Sequence, residues 1–441
     1  MYYLIETQEQ LDRFFKDEGS ECYLQFITNN DETHPKLQSL CALYIYSFSK
    51  EKGFIININH PEAFELSLPL KYLESYTNIF VKEKTKALLY IPTLPYTDIQ
   101  SIYFLIKNEP LDSLPKTGAH TYFERKYGAY NANKIIPIAK HHEALTQEFD
   151  ALYPYISNFK EEESNKWYNE ILTPTLAKMV SEGFKINPTF KKHFDINEKF
   201  SINENKAYGW YNFCTTTGRP TNNFNSINFS ALKHDSGERD SFEADNDTLI
   251  EMDYEGYHPR IIARFIGHHI DKNESVHKQL AQMYFETAEI SDEMYKKSKE
   301  LTFQQMYGGI NKKYLKHEYF NKTQKFIDSL WHEFNTNGYV KTVIARRKLL
   351  KGNYKNITPQ KLFNYYIQAF ETEYNITLLS RVFKLLEGKQ TKMVLYVYDS
   401  MLFDFSLEDG KELFQSLRDI ISSDFPIKLK KGYTYASLEA L

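Results

Sequence analysis

Cysteine is scarce in this chain of 441 residues, which contains only Cys22, Cys41 and Cys214. The three are far apart in the sequence, and no two of them form a C-x-x-C pair. Disulfide frameworks need many cysteines, and structural zinc sites need closely spaced thiolates. The scarcity therefore argues against both, and it favours a reducing compartment.

Long hydrophobic runs are also missing, although 42% of the residues are hydrophobic. No stretch approaches the roughly 18 apolar residues that a membrane helix needs. The N-terminal residues, Met1 to Glu6, lack the basic segment of a secretory signal. We therefore expect a soluble, intracellular protein with no membrane partner.

Positive charge is not in excess over the whole chain, because 54 Lys and Arg stand against 58 Asp and Glu, a net charge of −4. Binding to nucleic acid would therefore depend on a local basic surface. Residues 296–351 offer one, with 13 Lys or Arg and four acids. A charge run alone is more typical of a solvated helical surface.

The length suffices for about three units of ~150 residues or for one multi-lobed enzyme. Residues 1–140 are interpreted as a small mixed domain, with a helix at Ile99 to Leu105. Its β-rich runs are Cys22 to Phe26, Leu40 to Tyr46, Gly53 to Ile58 and Ala87 to Tyr90. Residues 141–205 are richer in helix formers, with one apolar face along Tyr168 to Glu182, and residues 206–441 mix both element types. The expected fold class is α/β (α+β).

Two aspartates carry the strongest chemical signal. Asp253 ends the strand-like run Leu249 to Met252, and Asp399 lies at the tip of the hairpin-like segment from Val394 to Phe403. Two carboxylates held at strand ends can bind a pair of Mg²⁺ ions about 3.5 to 4 Å apart, the arrangement used for phosphoryl transfer. A pair of solvated turn residues would have the same local sequence.

The segment from Tyr295 to Gly308 places Lys299, Phe303 and Tyr307 at successive steps of four, so that they share one face of a helix. A lysine in line with two aromatic rings suits a nucleoside triphosphate, because the ammonium contacts phosphate oxygens and the rings contact base and sugar. An amphipathic helix with a core aromatic pair has the same spacing. For the segment taken alone, that simpler explanation is favoured.

The order of these segments resembles the motifs of family A DNA polymerases. K-x-x-x-F-x-x-x-Y-G, around Lys299, lies between D-Y-x-x-x-x-x-R, which runs from Asp253 to Arg260, and the hairpin with Asp399, as motifs B, A and C do. Three further segments are similar to family motifs: Thr217-Gly218-Arg219 with Asn225 and Asn228 downstream, Gly338 to Arg347, and Asn364-x-x-Ile367-Gln368. Six matches in one order are specific, although each alone is weak. The resemblance covers residues 205–441 well and the first 200 only faintly.

The resemblance implies a right-hand polymerase with a palm and fingers, the fingers at about residues 270–345. It implies template-directed synthesis on primer-template DNA from dNTPs, with two Mg²⁺ ions for which Mn²⁺ can substitute. The implied site residues are Asp253, Asp399 and the Tyr254 carbonyl for metal; Asp253, Asp399 and Lys299 for catalysis; Phe303, Tyr307, His258, Lys296 and Tyr254 for the nucleotide; and Arg219, Arg346, Arg347, Asn364 and Gln368 for DNA.

Three positions depart from the family pattern. His258 stands where the family has a glutamate that is hydrogen-bonded to the helix tyrosine and blocks a ribose 2′-hydroxyl, so sugar selectivity is open. Tyr295 replaces a phosphate-binding arginine, for which Lys296 or Lys297 can substitute as a point charge. Ser400 replaces the second acid of H-D-E, so a third carboxylate is missing and weaker metal binding is expected.

The first domain lies where family members carry an RNase H-like 3′ to 5′ exonuclease. That activity needs D-x-E on the first strand, whereas Tyr23 to Ile27 contains no acid, and Asp31 and Glu32 fall in the following loop. Residues 1–140 are therefore expected to form a degenerate exonuclease-like domain that lacks proofreading.

The thumb is expected to be shortened, because residues 141–205 leave little room for one. Weak processivity would follow, with a processivity factor, a helicase-primase or a single-strand-binding protein as helper. So reduced a chain suits a phage or plasmid source, in the cytoplasm of a bacterial cell or a phage-infected host.

Two other classes of protein remain open. Single-subunit RNA polymerases share this palm and carry H-D-S at motif C, so a transcriptase or primase-like enzyme using NTPs is one alternative. The other is a non-catalytic nucleic-acid-binding protein, which would keep the basic residues of 296–351 without Mg²⁺-dependent synthesis.

Overall fold

The computed structural model describes residues 3–29, 34–64, 66, 70–114, 137–194, 202–222, 227–233 and 236–441, and its elements are numbered here within those residues. The α-helices are α1 Gln8–Lys16, α2 Lys84–Tyr90, α3 Ile99–Lys107, α4 Ile138–Ser157, α5 Glu163–Trp167, α6 Thr173–Ser181, α7 Phe190–His193, α8 Tyr257–Phe265, α9 Val276–Phe285, α10 Asp292–Gly308, α11 Glu318–Asn337, α12 Pro359–Leu385 and α13 Gly410–Ile421. The strands are β1 Tyr3–Ile5, β2 Glu21–Thr28, β3 Leu40–Ser47, β4 Lys52–Asn57, β5 Asn78–Val81, β6 Tyr96–Asp98, β7 Phe184–Lys185, β8 Ile202–Asn203, β9 Lys206–Ala207, β10 Tyr211–Asn212, β11 Thr221–Asn222, β12 Thr248–Tyr254, β13 Tyr339–Lys341, β14 Lys348–Leu350, β15 Lys392–Val397, β16 Ser400–Phe405, β17 Ile427–Gly432 and β18 Glu439–Ala440.

The described residues fall into two compact units. The first takes those within 1–183, 195–214 and 222–228, and the second takes those within 184–194, 215–221 and 229–441. Each unit contains its own β-sheet and hydrophobic core.

The sheet of the first unit has the strand order β1-β4-β3-β2-β5-β6. Strands β2, β3 and β4 pair antiparallel, whereas β5 and β6 continue parallel to β2, and β1 lies parallel to β4. Antiparallel neighbours can be joined by short turns, but parallel neighbours need a crossover, and α2 lies between β5 and β6 in the chain.

Both faces of this sheet are covered. Because successive side chains of a strand point to opposite faces, Leu24 packs with Phe14 of α1 on one side, and Tyr23 packs with Phe149 of α4 on the other. The ring of Phe149 lies 5.4 Å from that of Tyr23 and stacks 3.7 Å from that of Tyr46. These aromatic contacts fix α4 on its face of the sheet.

One β-rich run of the first domain was assigned wrongly from the sequence. Ala87 to Tyr90 belongs to α2, because a short apolar run fits a buried helix as well as a strand and its Ala and Leu residues favour helix. The other three runs are strands β2, β3 and β4, and the helix expected at Ile99 to Leu105 is α3, capped by Asp98. Strand β2 begins one residue earlier than expected, at Glu21, whose side chain is exposed.

The helical stretch predicted at Tyr168 to Glu182 consists of a π-helical turn, Tyr168–Leu172, followed by α6. Its predicted apolar face is buried, as the positions of Leu172, Leu176 and Val180 show. The helix ends at Ser181, and its C-cap is Glu182.

The second unit contains a five-stranded antiparallel sheet in the order β15-β16-β12-β17-β18. Alternation along β12 divides its residues between two faces. Tyr254 is buried on one face, where its hydroxyl donates to the carbonyl of Ile421 at the end of α13, 2.9 Å away. Glu251 and Asp253 therefore project from the opposite face.

No disulfide joins the three cysteines, all of which lie in the described part of the chain and are buried. Among the described residues, no helix combines the length and the apolar character that a membrane span requires.

Candidate active site

The two aspartates meet at one end of the five-stranded sheet. Asp253 is the penultimate residue of β12, directly opposite Ser400 of β16 and Lys428 of β17. Asp399 occupies the two-residue turn between β15 and β16, and its carbonyl accepts a hydrogen bond from the Tyr254 N–H at 3.2 Å. Sheet register thus brings together two acids that are 146 positions apart in the chain.

The turn that carries Asp399 is held in an unusual conformation. Tyr398 has a φ of +59°, which is uncommon for a residue other than glycine and persists only where surrounding contacts enforce it. Asn375 of α12 donates from Nδ2 to the Tyr398 carbonyl at 3.0 Å, and its Oδ1 accepts from the Tyr257 hydroxyl at 2.6 Å. The guanidinium of Arg219 lies 3.8 Å from the centre of the Tyr398 ring. These contacts fix the turn and therefore the backbone of Asp399.

The electrostatics of the pair favour a bound cation. Burial and then the charge of Asp399 raise the pKa of Asp253 to about 7, against the opposing effect of Lys430 and Lys428. Burial, followed by the charge of Glu371, also raises the pKa of Asp399. Two neighbouring carboxylates destabilise each other's charged forms, and a cation between them would remove that cost.

The donor set fits a hard metal ion. The described residues contain no group of three or more His, Cys, Asp or Glu arranged to hold a metal. Mg²⁺ is commonly bound by one or two carboxylates, with waters and substrate phosphates completing the shell. Asp253 and Asp399 supply those two carboxylates.

Glu251 is an acidic neighbour that the motif comparison missed. Its Oε1 accepts a hydrogen bond from the Ser400 hydroxyl at 3.0 Å, and its Oε2 pairs with Lys430 Nζ at 2.6 Å. It projects from the same face of β12 as Asp253 and contributes to the raised pKa of that residue. The signal was available in the sequence as E-x-D on a strand, since residues two apart share a face.

Helix α10 presents the predicted line of lysine and aromatic residues outward. Phe303 and Tyr307 are 48% and 40% exposed, and their rings stack with centroids 6.0 Å apart. The buried face of this helix is formed by Ser298, Thr302, Gln305 and Met306. The aromatic pair is therefore not a core pair.

The cationic residues of α10 have different surroundings. Lys299 Nζ lies 4.8 Å from the centre of the Tyr295 ring, one turn back along the helix. Lys296 and Lys297 are both exposed, and Lys297 is paired with Glu300 at 2.7 Å. Lys296 and Lys297 are the two lysines expected to replace the missing arginine. Because Lys297 is paired with Glu300, Lys296 is the better placed of the two to bind a phosphate.

His258 connects α10 to α12. Its Nδ1 lies 2.7 Å from the Tyr307 hydroxyl, and its Nε2 lies 2.7 Å from Oε2 of Glu371. The other carboxylate oxygen of Glu371 accepts a hydrogen bond from Arg219 at 2.6 Å. Sequence comparison did not single out Glu371, because nothing in its local sequence indicates a partner 113 positions away.

Comparison with known proteins agrees with this geometry. The model of the family described as DNA polymerase family A matches residues 143–435, about two thirds of the sequence. The chain belongs to DNA polymerase family A.

Among curated proteins, DNA polymerase I of Borreliella burgdorferi is 23% identical over 249 residues, which cover 49% of this chain. The match spans 27% of that relative, so the chain corresponds to about a quarter of its length. Among solved structures, the POL domain of Pol1 from M. smegmatis, in complex with DNA primer-template and dNTP, superposes with a TM-score of 0.73. The identity is 14%, and the superposition covers 98% of this chain and 99% of that one. The fold of this chain is therefore that of a family A polymerase domain.

The residues assigned to DNA in this family A chain do not all reach the surface. Asn364 and Gln368 lie one turn apart on α12 and are half-buried, and Arg346 is exposed beside β14 with a φ of +56°. Arg347 is 2% exposed, and its guanidinium donates to the Thr216 carbonyl at 3.0 Å. The assignment of Arg347 to DNA is therefore corrected, since tertiary packing places its side chain in the interior.

Two further predictions fall outside the described residues. They are Asn225 of the expected asparagine pair, and the acids Asp31 and Glu32, which follow β2 in the sequence.

Proposed function

We propose that this chain is a template-directed DNA polymerase that extends a primer 3′-hydroxyl with dNTPs. The observation that carries the proposal is the coincidence, within one unit, of the pair Asp253 and Asp399 with the outward line Lys299, Phe303 and Tyr307. Membership of DNA polymerase family A supports it. The structural match also supports it, since the M. smegmatis domain was solved with primer-template and dNTP.

Asp253 and Asp399, with the carbonyl of Tyr254, are the proposed ligands of two Mg²⁺ ions, for which Mn²⁺ can substitute. When bound, such ions lower the pKa of an attacking hydroxyl and neutralise charge on a departing pyrophosphate. The acids supply hard oxygen ligands in a fixed geometry, because one is part of a central strand and the other is held in its turn by Asn375. Fixed ligands limit the reorganisation needed when the reaction begins.

The nucleotide would lie along α10. Lys299 is proposed to bind the triphosphate and to protonate the leaving group, with Lys296 as a second phosphate contact. Lys299 and Tyr307 are eight residues apart, about 12 Å along a helix, enough to span a nucleotide from its phosphates to its sugar and base. Phe303 and Tyr307 would thus face the base and sugar, with His258 behind the tyrosine.

DNA is proposed to contact Arg219, Arg346, Asn364 and Gln368. The last two share a face of α12, as their spacing of four requires. Groove and backbone contacts of this kind position a duplex without reading its sequence, which a copying enzyme needs.

Residues 1–140 are proposed to form an exonuclease-like domain without proofreading activity. Its arrangement of three antiparallel strands followed by parallel ones supports an RNase H-like origin. Strand β2 has no acid after Glu21. Glu148, buried against this strand, is already engaged by the Tyr23 hydroxyl at 3.2 Å and by Lys82 at 3.5 Å.

The domain limits 1–140, 141–205 and 206–441, with fingers at about 270–345, remain proposals, as does the shortened thumb with its helper protein. That the chain is a reduced enzyme of a phage or plasmid, acting in the cytoplasm, is likewise a proposal.

Primer extension by the full chain with Mg²⁺ tests the function. Four reactions compare dNTPs with NTPs, each with and without a primer. We expect extension from a primer with dNTPs. Synthesis from NTPs without a primer would point to a transcriptase or primase, and no synthesis in any reaction would point to a binding protein.

A further inference from the structure

Glu371 is a buried carboxylate in the wall of the proposed nucleotide site. Its side chain is 1% exposed, and both of its oxygens are engaged, one by His258 and one by Arg219. Although burial raises the pKa of this carboxyl, His258 and Arg219 outweigh the effect and hold the pKa below its usual value. Burying a charged carboxylate is unfavourable unless hydrogen bonds or opposite charges compensate for the lost water. His258 and Arg219 provide that compensation for Glu371.

We propose that Glu371 is a positioning residue for sugar selection: it locks His258 against Tyr307 and so fixes the tyrosine that faces the sugar of the incoming nucleotide. The inference rests on the proposed polymerase function and assigns its sugar specificity to a residue outside the motif segments.

The charge of Glu371 sets the direction of the hydrogen bonds around His258. An ionised carboxylate only accepts, so His258 Nε2 carries the hydrogen and donates it in the hydrogen bond to Glu371. In a neutral imidazole the other nitrogen then accepts, and the Tyr307 hydroxyl must donate to Nδ1. Glu371 thereby sets the tautomer and ring orientation of His258, and through them the direction of the tyrosine hydroxyl.

Sugar selection also requires that Tyr307 be held rigidly. A pocket discriminates poorly against a ligand that merely adds a hydroxyl, unless the wall facing that hydroxyl cannot yield. Tyr307 is 40% exposed, so packing alone does not immobilise it. The chain of contacts from Tyr307 through His258 and Glu371 to Arg219 ties it to the second unit's interior.

The same contacts lead to the proposed metal-binding acids. Arg219 pairs with Glu371 and lies 3.8 Å from the centre of the Tyr398 ring, next to Asp399 in the chain. A sugar attached to a phosphate at those acids would therefore lie near Tyr307.

The test is Glu371→Gln in the full chain, with Glu373→Gln as matched control. Glu373 is on the same helix and is also buried, but it accepts from the backbone N–H groups of Ile344 and Ala345 at 3.0 and 2.9 Å. The readout is the ratio of kcat/KM for a dNTP to that for the matching NTP. We expect this ratio to fall about tenfold in Glu371→Gln, the scale of one lost hydrogen bond to a charged group, and to stay unchanged in Glu373→Gln.

Two further variants separate positioning from folding. Glu371→Asp keeps the buried negative charge but is one methylene shorter, so its carboxylate can no longer reach both His258 and Arg219. We therefore expect a fall in the ratio with the protein still folded. His258→Glu combined with Glu371→Gln returns a carboxylate to Tyr307 directly and should restore the ratio, whereas His258→Glu alone sets two carboxylates together and should not.

The outcomes are distinguishable. A wild-type chain that extends primers while every Glu371 variant keeps the wild-type ratio overturns the inference and leaves the polymerase proposal intact. Equal losses in Glu371→Gln and Glu373→Gln also overturn it, because the effect would then be one of general stability. A wild-type chain that extends no primer overturns both.

Discussion

Buried acids in the two units have opposite surroundings. Glu148 of the first unit and Asp253 of the second both have a pKa raised mainly by burial. The next influence on Glu148 is the opposite charge of Lys82, whereas the next influence on Asp253 is the like charge of Asp399. The first acid is compensated within the protein, and the second is arranged with another acid so that a cation would stabilise both.

The sign of the neighbouring charge distinguishes acids with a structural role from acids suited to bind a cation. A buried carboxylate held by a lysine and a tyrosine contributes to packing and has little capacity left for metal. Two carboxylates on adjacent strand ends cost stability unless something positive binds between them. Strongly perturbed acids of the second kind are typical of functional sites.

Asp399→Asn should have the largest effect. Loss of one charge from the acid pair should reduce primer extension by about a thousandfold, because a preorganised electrostatic contact to the reacting groups disappears. Affinity for primer-template DNA, measured by fluorescence anisotropy, should be almost unchanged. Full extension by this variant would remove the basis of the metal-site assignment.

Glu251→Gln should have a smaller effect. The substitution keeps a partner for Ser400 but removes a negative charge beside Asp253, so cations should be attracted less strongly. We expect the Mg²⁺ concentration for half-maximal extension to rise by about threefold to tenfold, in line with a modest electrostatic change. An unchanged Mg²⁺ titration would show that Glu251 serves only to pair with Lys430.

Glu148→Ala should change stability and leave synthesis intact. It leaves Lys82 and Tyr23 without their buried partner, which should cost about 3 kcal/mol in the free energy of unfolding, measured by urea denaturation. Extension rates at a temperature where the variant is folded should match wild type. A selective loss of synthesis by the folded variant would mean that the two classes of acid are not distinct.

The chain should not remove a mismatched nucleotide from the 3′ end of a primer. If the acids of the first unit hold no metal, the mismatched nucleotide should persist during incubation with Mg²⁺ and without dNTPs, as judged on a sequencing gel. Shortening of the primer by the wild-type chain, but not by a variant lacking Glu21, Asp31 and Glu32, would assign nuclease activity to the first unit.

The sequence predicted those parts of the site that depend on local periodicity. Asp253 follows from a strand pattern, and the line of Lys299, Phe303 and Tyr307 follows from helical spacing. Glu371 could not be predicted this way, because its link to His258 depends on how α12 packs beside α8. Arg347 was misassigned for the same reason, since packing and not motif position buried it. Ala87 to Tyr90 was misread because four apolar residues carry no clear period.

The most direct measurement is single-nucleotide primer extension by the wild-type chain, Asp253→Asn and Glu148→Gln side by side, with Mg²⁺ and the dNTP that matches the template. We predict that the wild-type chain and Glu148→Gln both add the nucleotide and that Asp253→Asn does not. Addition by Asp253→Asn at the wild-type rate would contradict the metal-binding role of Asp253, and an inactive wild-type chain would contradict the polymerase function itself.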